Sequence, residues 1–399
     1  MAPPTTATPP GLRTRVQWTA TGFSTQPDAR RAGSEAATGA LAGADPKLLV
    51  VYSSDAYDLA ALLAGVAEVA GDVPVIGCST AGEIAAAGPS TASVVIMAFG
   101  GPGFSIATAA SSAAERGLRQ ASADVADSVA RLDPRPYKVL LLLSDGLGGD
   151  QQEVVRGAHS VLGAEVPLVG GCAGDDMKMH QTFQFFGETV LKGSIVGAAI
   201  GSEGPIGIGV QHGWRAVGEP MVVTASVDNQ VLTLDDQPAL DAYLKRLHAP
   251  DEVRAESEAF TQFAMTHPLG LSRRSGDEVR FVAGADFEAR SLTCIAALPQ
   301  GSLAWIMEGD SQSVLQATDV ACEQAVAELG GRPPLGMLAF DCIARRGVLG
   351  DTGIADEVGR IAEFASGAPV AGFYTYGEIA RIRGVNGFHN QTLVVVAFA

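Results

Sequence analysis

An α/β chain of mixed sheets is predicted, built from three related strand–helix–strand–loop–strand units with a β-rich segment before the third. One observation is a loop that recurs as Pro74-Val-Ile-Gly77-Cys78-Ser79-Thr80-Ala-Gly82-Glu83-Ile84, Pro167-Leu-Val-Gly170-Gly171-Cys172-Ala-Gly174-Asp175-Asp176 and Pro369-Val-Ala-Gly372-Phe373-Tyr374-Thr375-Tyr376-Gly377-Glu378-Ile379. The second is that each copy lies between apolar runs: Leu48–Tyr52 and Val94–Phe99, Val139–Leu143 and Ile195–Ile200, Leu335–Phe340 and Leu393–Phe398. The third is the change of pattern after the second loop, where short β-like runs dominate. Self-similarity of this kind has to be recognised before any fold is assigned.

Taken in order, residues 1–13 read as a disordered tail rich in proline and threonine. Arg15–Ala20 is predicted as a strand, and Asp28 caps an alanine-rich helix running to Leu41. The first unit follows: strand Leu48–Tyr52, loop Ser53-Ser54-Asp55, a helix to about Ala70, the first loop and strand Val94–Phe99. A helix is predicted over Ala113–Leu132, ending at Asp133-Pro134. The second unit has Ser144-Asp145 after its first strand and a helix to about Leu162; in both units the Ser and Asp are placed to cap the helix. Thr182–Phe186, Ile206–Gln211, Met221–Ser226 and Gln230–Leu234 read as strands, with Asp228-Asn229 as a hairpin turn. Pro238–Leu247 and Glu256–Met265 read as helices, then Glu278–Ala283, Ser291–Ala297 and Leu303–Met307 as strands. A helix over Ser311–Leu329 leads into the third unit. A boundary near Asp235–Pro238 divides the chain into 14–237 and 238–399.

Composition narrows the function. With 47% hydrophobic and 18% charged residues in 399, two domains with ample cores are expected. The net charge of −17 disfavours a broad basic surface for nucleic acid or anionic membrane. No apolar run of eighteen residues is present to span a bilayer, and the first ten residues lack the regions of a signal peptide. Five scattered cysteines without a C-x-x-C pair fit a reducing compartment. A cytoplasmic protein is expected.

The loops supply the candidate chemistry. A glycine at the end of a buried strand lets the backbone turn or approach a neighbour closely, and in α/β sheets ligands bind beyond the carboxyl ends of strands. Glu83, Asp175 and Glu378 occupy matching sequence positions; converging carboxylates hold an amine, a cation or a shared proton, whereas isolated ones cap helices or bond their own loops. Cys78, Cys172 and Cys342 fall at strand ends. Only Cys342 has cations nearby, Arg345 and Arg346, so a Cys342–His389 hydrolytic pair is the enzymatic alternative. The runs Gly146–Gly149 and Gly201–Gly209 lack the Lys-Ser/Thr of a P-loop. Of the six histidines, His267 stands apart: it closes an apolar segment containing Phe260, Phe263 and Met265 and precedes Pro268-Leu269. That setting suits an axial haem ligand as well as a structural histidine.

Gly77 to Ile84, Gly170 to Asp176, Gly213-Trp214-Arg215 with Gly218 and Pro220, Val223-Thr224, Pro238-Ala239-Leu240, His267-Pro268-Leu269-Gly270, Cys342 with Arg345, and Gly372 to Ile379 together resemble the FIST family, over nearly everything from Gln17 onward. The resemblance makes 14–237 the N-terminal and 238–399 the C-terminal FIST domain. It implies a sensory module of bacterial signal transduction that binds a small ligand, proposed for the family to be of amino-acid type. It also implies a subgroup of haem-binding nitric-oxide sensors whose partners are histidine kinases or cyclic-di-GMP enzymes. On that basis the expected ligand-binding residues are Cys78, Thr80, Glu83, Cys172, Asp175, Arg345, Tyr374, Glu378 and Asn390, with His267 as the haem-iron ligand. Without haem, Glu83 or Glu378 takes an amino group and Arg345 or loop amides a carboxylate. No output segment is recognisable, so a separate partner protein is expected, and no enzymatic activity of the chain itself.

Overall fold

A computed structural model describes residues 17–86, 88–90, 92–273, 276–382 and 387–399. The tail predicted over 1–13 lies outside these residues. The first unit runs β1 (Trp18–Ser24), α1 (Ala29–Ala40), β2 (Pro46–Ser54), α2 (Leu59–Ala70), β3 (Val75–Thr80), β4 (Glu83–Ala85), β5 (Gly88–Ser90) and β6 (Val94–Gly100). The second runs β7 (Phe104–Ser112), α3 (Ala113–Arg116), α4 (Leu118–Ala126), β8 (Tyr137–Ser144), α5 (Gln152–Leu162), β9 (Leu168–Cys172), β10 (Gln184–Phe186), β11 (Thr189–Leu191) and β12 (Ser194–Ser202). The third opens with β13 (Ile206–Gln211) and is then interrupted. The interruption holds β14 (Arg215–Val227), β15 (Gln230–Leu234), β16 (Gln237–Pro238), α6 (Ala239–Arg246), α7 (Ser257–Met265), β17 (Leu269–Arg273), β18 (Gly276–Arg280), β19 (Val282–Asp286), β20 (Ser291–Cys294) and β21 (Leu303–Glu308). The third unit resumes with α8 (Ser311–Ala327), β22 (Gly336–Cys342), α9 (Ile343–Ala365), β23 (Val370–Thr375), β24 (Glu378–Arg381), β25 (Phe388–His389) and β26 (Leu393–Phe398).

The α/β class is as predicted, and the repeat is larger than its sequence signature. Each unit begins one strand and one helix earlier than the recurrent loop suggests. Among the described residues the units build three six-stranded sheets of identical plan: β1-β6-β2-β3-β10-β11, β7-β12-β8-β9-β24-β25 and β13-β26-β22-β23-β4-β5. In each, the pair flanking the crossover helix is parallel (β2/β3, β8/β9, β22/β23), as a helical crossover requires. The last two strands of every sheet come from a different unit. The hairpin after the first loop joins the third sheet, that after the third loop joins the second, and that after the second loop joins the first. The three sheets are laced into a ring.

Alternation along the strands sorts the core. Leu48, Val50 and Tyr52 of β2 face a common interior shared with Leu141, Leu143, Leu338 and Phe340. Leu49 and Val51 face α1 and α2 instead, in a cluster with Ala36, Leu62 and Val66. Rings of Tyr52, Phe340 and Phe373 meet at the centre, with centroids 4.8–6.3 Å apart. Burial on both faces explains why these strands read as continuous apolar runs.

The recurrent glycine has a sheet role. Gly77, Gly170 and Gly372 are the register partners of Val51, Leu142 and Ala339 on the parallel neighbour. A Cβ there would stand 2.1, 1.9 and 2.0 Å from those residues' carbonyl oxygens, so the side chain has no room.

Several local expectations shift. The strand predicted over Arg15–Ala20 is observed over Trp18–Ser24. Asp28 caps α1 by accepting from Arg31 N, but α2 is capped by Asp58 and α5 has no side-chain cap, so Ser54 and Ser144 are not the caps. The helix predicted over Ala113–Leu132 breaks at Gly117, where φ is +76°. The interruption forms an eight-stranded sheet with its own core around Tyr243, Phe260 and Ile306. The sequence boundary at Asp235–Pro238 falls on the β15–β16 turn of that sheet and is neither moved nor removed by it. No helix of the described residues is long and apolar enough to cross a membrane.

Candidate functional site

The three loops converge, and their backbones bind one another. Gly174 N donates to Ser79 O (3.0 Å), Ala81 N to Tyr374 O (3.0 Å), Tyr374 N to Gly82 O (2.8 Å), Cys172 N to Gly377 O (2.8 Å) and Tyr376 N to Cys172 O (3.3 Å). This ring follows from the lacing, since each loop is the point where a chain leaves one sheet for the next. It also corrects an expectation: these amides are spent on partner loops and are not free to hold a ligand carboxylate.

The three acids do not form one set. The first residue of each transferred strand is Glu83, Glu378 or Gln184, opposite Phe373, Gly171 and Cys78 respectively. Gln184, not Asp175, is therefore the structural equivalent of the two glutamates. All three side chains are buried and perform one task. Thr80 Oγ1 and Ser93 Oγ (2.6 Å) donate to Glu83; Thr375 Oγ1 (2.8 Å) and Thr392 N (3.1 Å) donate to Glu378; Ser194 N donates to Gln184 Oε1 (3.1 Å). Each ties the transferred strand to the residue at, or one before, the start of the unit's last strand. Burial pushes the Glu83 carboxyl up to about 7 and the Glu378 carboxyl up to about 8.

Asp175 organises its own loop instead. It accepts from the backbone N–H groups of Met179 (3.0 Å), His180 (2.7 Å) and Gln181 (2.9 Å) and from the Tyr376 hydroxyl. Burial opposes its charge, but these bonds prevail and hold the carboxyl below its ordinary value.

The third unit departs from the other two at the carboxyl ends of its parallel pair. Asp341 and Tyr374 are register partners there; the same places hold Ser53 and Ser79 in the first unit and Ser144 and Cys172 in the second. Those small groups bond locally: Ser79 Oγ donates to Gly174 O (2.8 Å) and Ser144 Oγ to Gln151 Oε1 (2.8 Å). In the third unit Arg345 is fully buried between two acids. Its Nε donates to Asp341 Oδ1 (2.6 Å), NH1 to His212 O (3.0 Å), and NH2 to Glu357 Oε1 (2.5 Å) and Thr318 Oγ1 (2.9 Å). Arg345 is thus committed within the protein and does not take a ligand carboxylate, contrary to the sequence expectation. Burial works against its charge, but Asp341 and Glu357 outweigh that and raise it.

The Asp341 and Glu357 side chains also bond each other, while Tyr374 Oη, and both amide atoms of Asn390 beside Gly377, lie buried without a protein partner. Buried polar groups are ordinarily satisfied, so such a concentration marks a place for a guest. Asp341 and Glu357 were not singled out by the sequence reading, and the outer residue Arg346 was read only as a cation near Cys342. Arg345 and Asp341 were visible at helical spacing, but Glu357 was not, because α9 breaks at Gly350 (φ 62°, ψ −178°) and the interval from Arg345 no longer measures a helix face.

The other expected residues find different partners. Cys78, Cys172 and Cys342 are buried. Burial, then Glu378, pushes the Cys342 thiol well up; its side-chain partner is the Glu378 carboxyl, while His389 Nε2 bonds Ala380 O (2.9 Å). Neither is arranged as an activated nucleophile with its base. His267 stacks on Phe263 at 4.3 Å between centroids, with Nδ1 2.8 Å from Phe263 O. It lines a cavity of about 480 Å³ with Arg215, Glu308, Asp310 and Gln316, in the seam between α8 and the interrupting segment.

The FIST N domain model matches residues 47–237 and the FIST C domain model residues 239–381. An uncharacterized protein of Mycobacterium tuberculosis is 27% identical over 393 residues, spanning 94% of this chain and 98% of its own. Another, from Mycobacterium bovis, is 27% identical over 389 residues, with 94% and 97% covered. A solved structure of PurLQS from Thermotoga maritima aligns with a TM-score of 0.21 and 11% identity over 96% of this chain and 72% of that one, too remote to carry any argument.

Proposed function

The chain belongs to the FIST family, and on that premise we propose that it is a non-enzymatic sensor that holds a small polar ligand at the third unit's strand ends and regulates a separate histidine kinase or cyclic-di-GMP enzyme. FIST domains are associated with sensing in signal transduction. The observation carrying the site is the pair of buried residues of the third unit, Tyr374 and Asn390, whose Oη and amide atoms have no protein partner.

A sensor also needs an element that differs between two states, because a ligand shifts an equilibrium only by its differential affinity for them. The first segment of α9, ahead of the break at Gly350, is suited to this. It carries Arg345 and Arg346, and its Val348 packs with Trp214, Val279 and Met307 of the interrupting segment. Gln391, next to Asn390, bridges the same way: its Nε2 donates to Met265 O (3.0 Å) and its O accepts from Trp214 Nε1 (3.2 Å). A change at the site is thereby felt by the eight-stranded sheet, which we take as the surface read by the partner.

The test is a thermal-shift screen of the full chain against anionic, neutral, zwitterionic and amine metabolites. At least one should raise Tm saturably and lose its effect in Asn390→Ala. If no compound does so, the sensor reading fails.

Haem has one feature in its favour. With Nδ1 against the Phe263 carbonyl, His267 carries its proton there and leaves Nε2 as a lone pair, the usual arrangement of a metal-binding imidazole. The walls do not fit: eight of the nine residues lining the cavity are polar or charged and the ninth is glycine, whereas a porphyrin needs apolar faces. We therefore expect haemin titration to give no Soret band that His267→Ala removes. A band lost in that variant would restore the haem reading and its nitric-oxide corollary.

A further inference from the structure

An edge strand presents a row of unpaired N–H and C=O groups to any extended chain, so native sheets guard their edges. The equivalent edge strands β7 and β13 are guarded differently. Ser194 and Thr392 are matching tie residues, and counting back through the two ladders puts Thr108 and Ala110 of β7 in the places of Ile208 and Val210 of β13. On β13 the outward amides are taken: Ile208 N donates to Glu328 Oε2 (3.0 Å) and Val210 N to Gln324 Oε1 (3.3 Å), both at the end of α8. On β7 no described group accepts from the outward N–H of Thr108 or Ala110. The Thr108 carbonyl points the same way and accepts from NH2 of the exposed Arg131 at 2.6 Å.

This side of β7 borders two cavities of about 290 and 520 Å³, one lined by Thr108 and the other by Ile106. Both are lined by Asp72, Val73 and Pro74, so they form one groove. Val73, Pro74 and Phe186 give it apolar walls. Asp72, Asp133 and Glu188 are exposed acids along it, without an ion-pair partner among the described residues. Lys47, also in the groove, is already paired with Asp45 at 2.7 Å.

We propose that this groove docks an extended, basic segment of a partner protein, added to β7 as a further strand. Two features select that occupant. The free backbone groups recur at every second residue, a spacing that a strand matches and a helix does not. The unpaired acids call for Lys or Arg, alternating with apolar side chains that fill the walls; the net charge of −17 favours encounter with such a segment. Arg131 is the side chain the incoming strand displaces from Thr108. The proposal goes beyond the ligand site above and does not depend on it, since the groove is built from the first and second units. The groove holds the partner, while the eight-stranded sheet is the surface that reports the ligand.

The probe is the labelled peptide acetyl-KVKVKVK-amide, titrated with the full chain at physiological ionic strength and read by fluorescence anisotropy. It should bind saturably, and EVEVEVE should not. Peptides N-methylated on all valine amides or on all lysine amides should differ, because only one set faces β7. Thr108→Pro removes an N–H that points away from β12, a place where an edge strand tolerates proline, and should weaken the peptide about tenfold. Asp72→Lys combined with Asp133→Lys changes only exposed positions and should weaken it at least as much. Failure of KVKVKVK to bind, equal binding by the two methylated peptides, or indifference to Thr108→Pro would each overturn the proposal, the last two by reducing the contact to charge alone. Tighter binding after removal of residues 1–16, or self-association abolished by Thr108→Pro, would give the edge to the chain's own start or to a second copy and overturn it as well.

Discussion

Arg345→Met is expected to destabilise the protein by about 3–5 kcal/mol, the loss found when one partner of a buried ion pair is removed. The methionine fills most of the volume, so little of the loss comes from packing. What remains is Asp341 and Glu357, both buried, with no cation between them. Thr318 Oγ1 still donates to Glu357 (2.7 Å), but one hydroxyl does not replace a guanidinium. The deficit should shrink on acidification, because protonating both carboxyls removes the charge that Arg345 neutralised. A further change of Asp341 and Glu357 to leucine and methionine should recover much of the loss, since apolar replacements of buried ion networks are often neutral or stabilising. Urea unfolding at pH 5 and pH 8 measures all three. A loss under 1 kcal/mol for the single change would mean that water reaches the cluster, and the site would have to be drawn differently.

What the sequence revealed and what it concealed divide along physical lines. The three loops were legible because their glycines answer a local demand: each lies against the carbonyl of its strand partner, where a side chain has no room. The apolar strands were legible because both faces are covered. The lacing of the sheets was not, because a short strand such as Glu83–Ala85 carries no mark of which sheet it will join; periodicity encodes faces, not partners. That is why Asp175, matched by sequence to Glu83 and Glu378, proved to be a loop organiser, with Gln184 in the equivalent place beyond an excursion that sequence spacing could not measure. The strand Phe104–Ser112 was missed because alanine and serine dominate it, and Ile206–Gln211 was read as part of the β-rich segment because that segment separates it from its own unit. Of the buried cluster at the third unit's strand ends, Arg345 and Tyr374 were named from sequence, whereas Asp341 and Glu357, which give it its charge, were not.

The equivalence of Gln184 with the two glutamates makes the second large effect predictable. If the task of Glu378 is to accept from Thr375 Oγ1 and Thr392 N, a neutral amide oxygen can perform it, as Gln184 does toward Ser194. The carboxylate is then a liability wherever it must ionise in the interior. Its folded-state value of about 8 stands above the ordinary 4.5. The protonated carboxyl's stabilising contribution is therefore fully present below pH 4.5 and is lost as the pH rises through about 8. At about 1.4 kcal/mol per pH unit, that interval caps the loss at a few kcal/mol. Glu378→Gln should match the parent near pH 4.5, gain on it steadily as the pH rises, and exceed it by a few kcal/mol above pH 8. Glu83→Gln should do the same on a smaller scale, with its gain complete above about pH 7. Denaturant unfolding of parent and variants from pH 4.5 to 9 decides it. Parallel curves would show that Glu378 ionises in the fold without cost, and with that the account of the three transferred-strand residues as interchangeable neutral ties would fail.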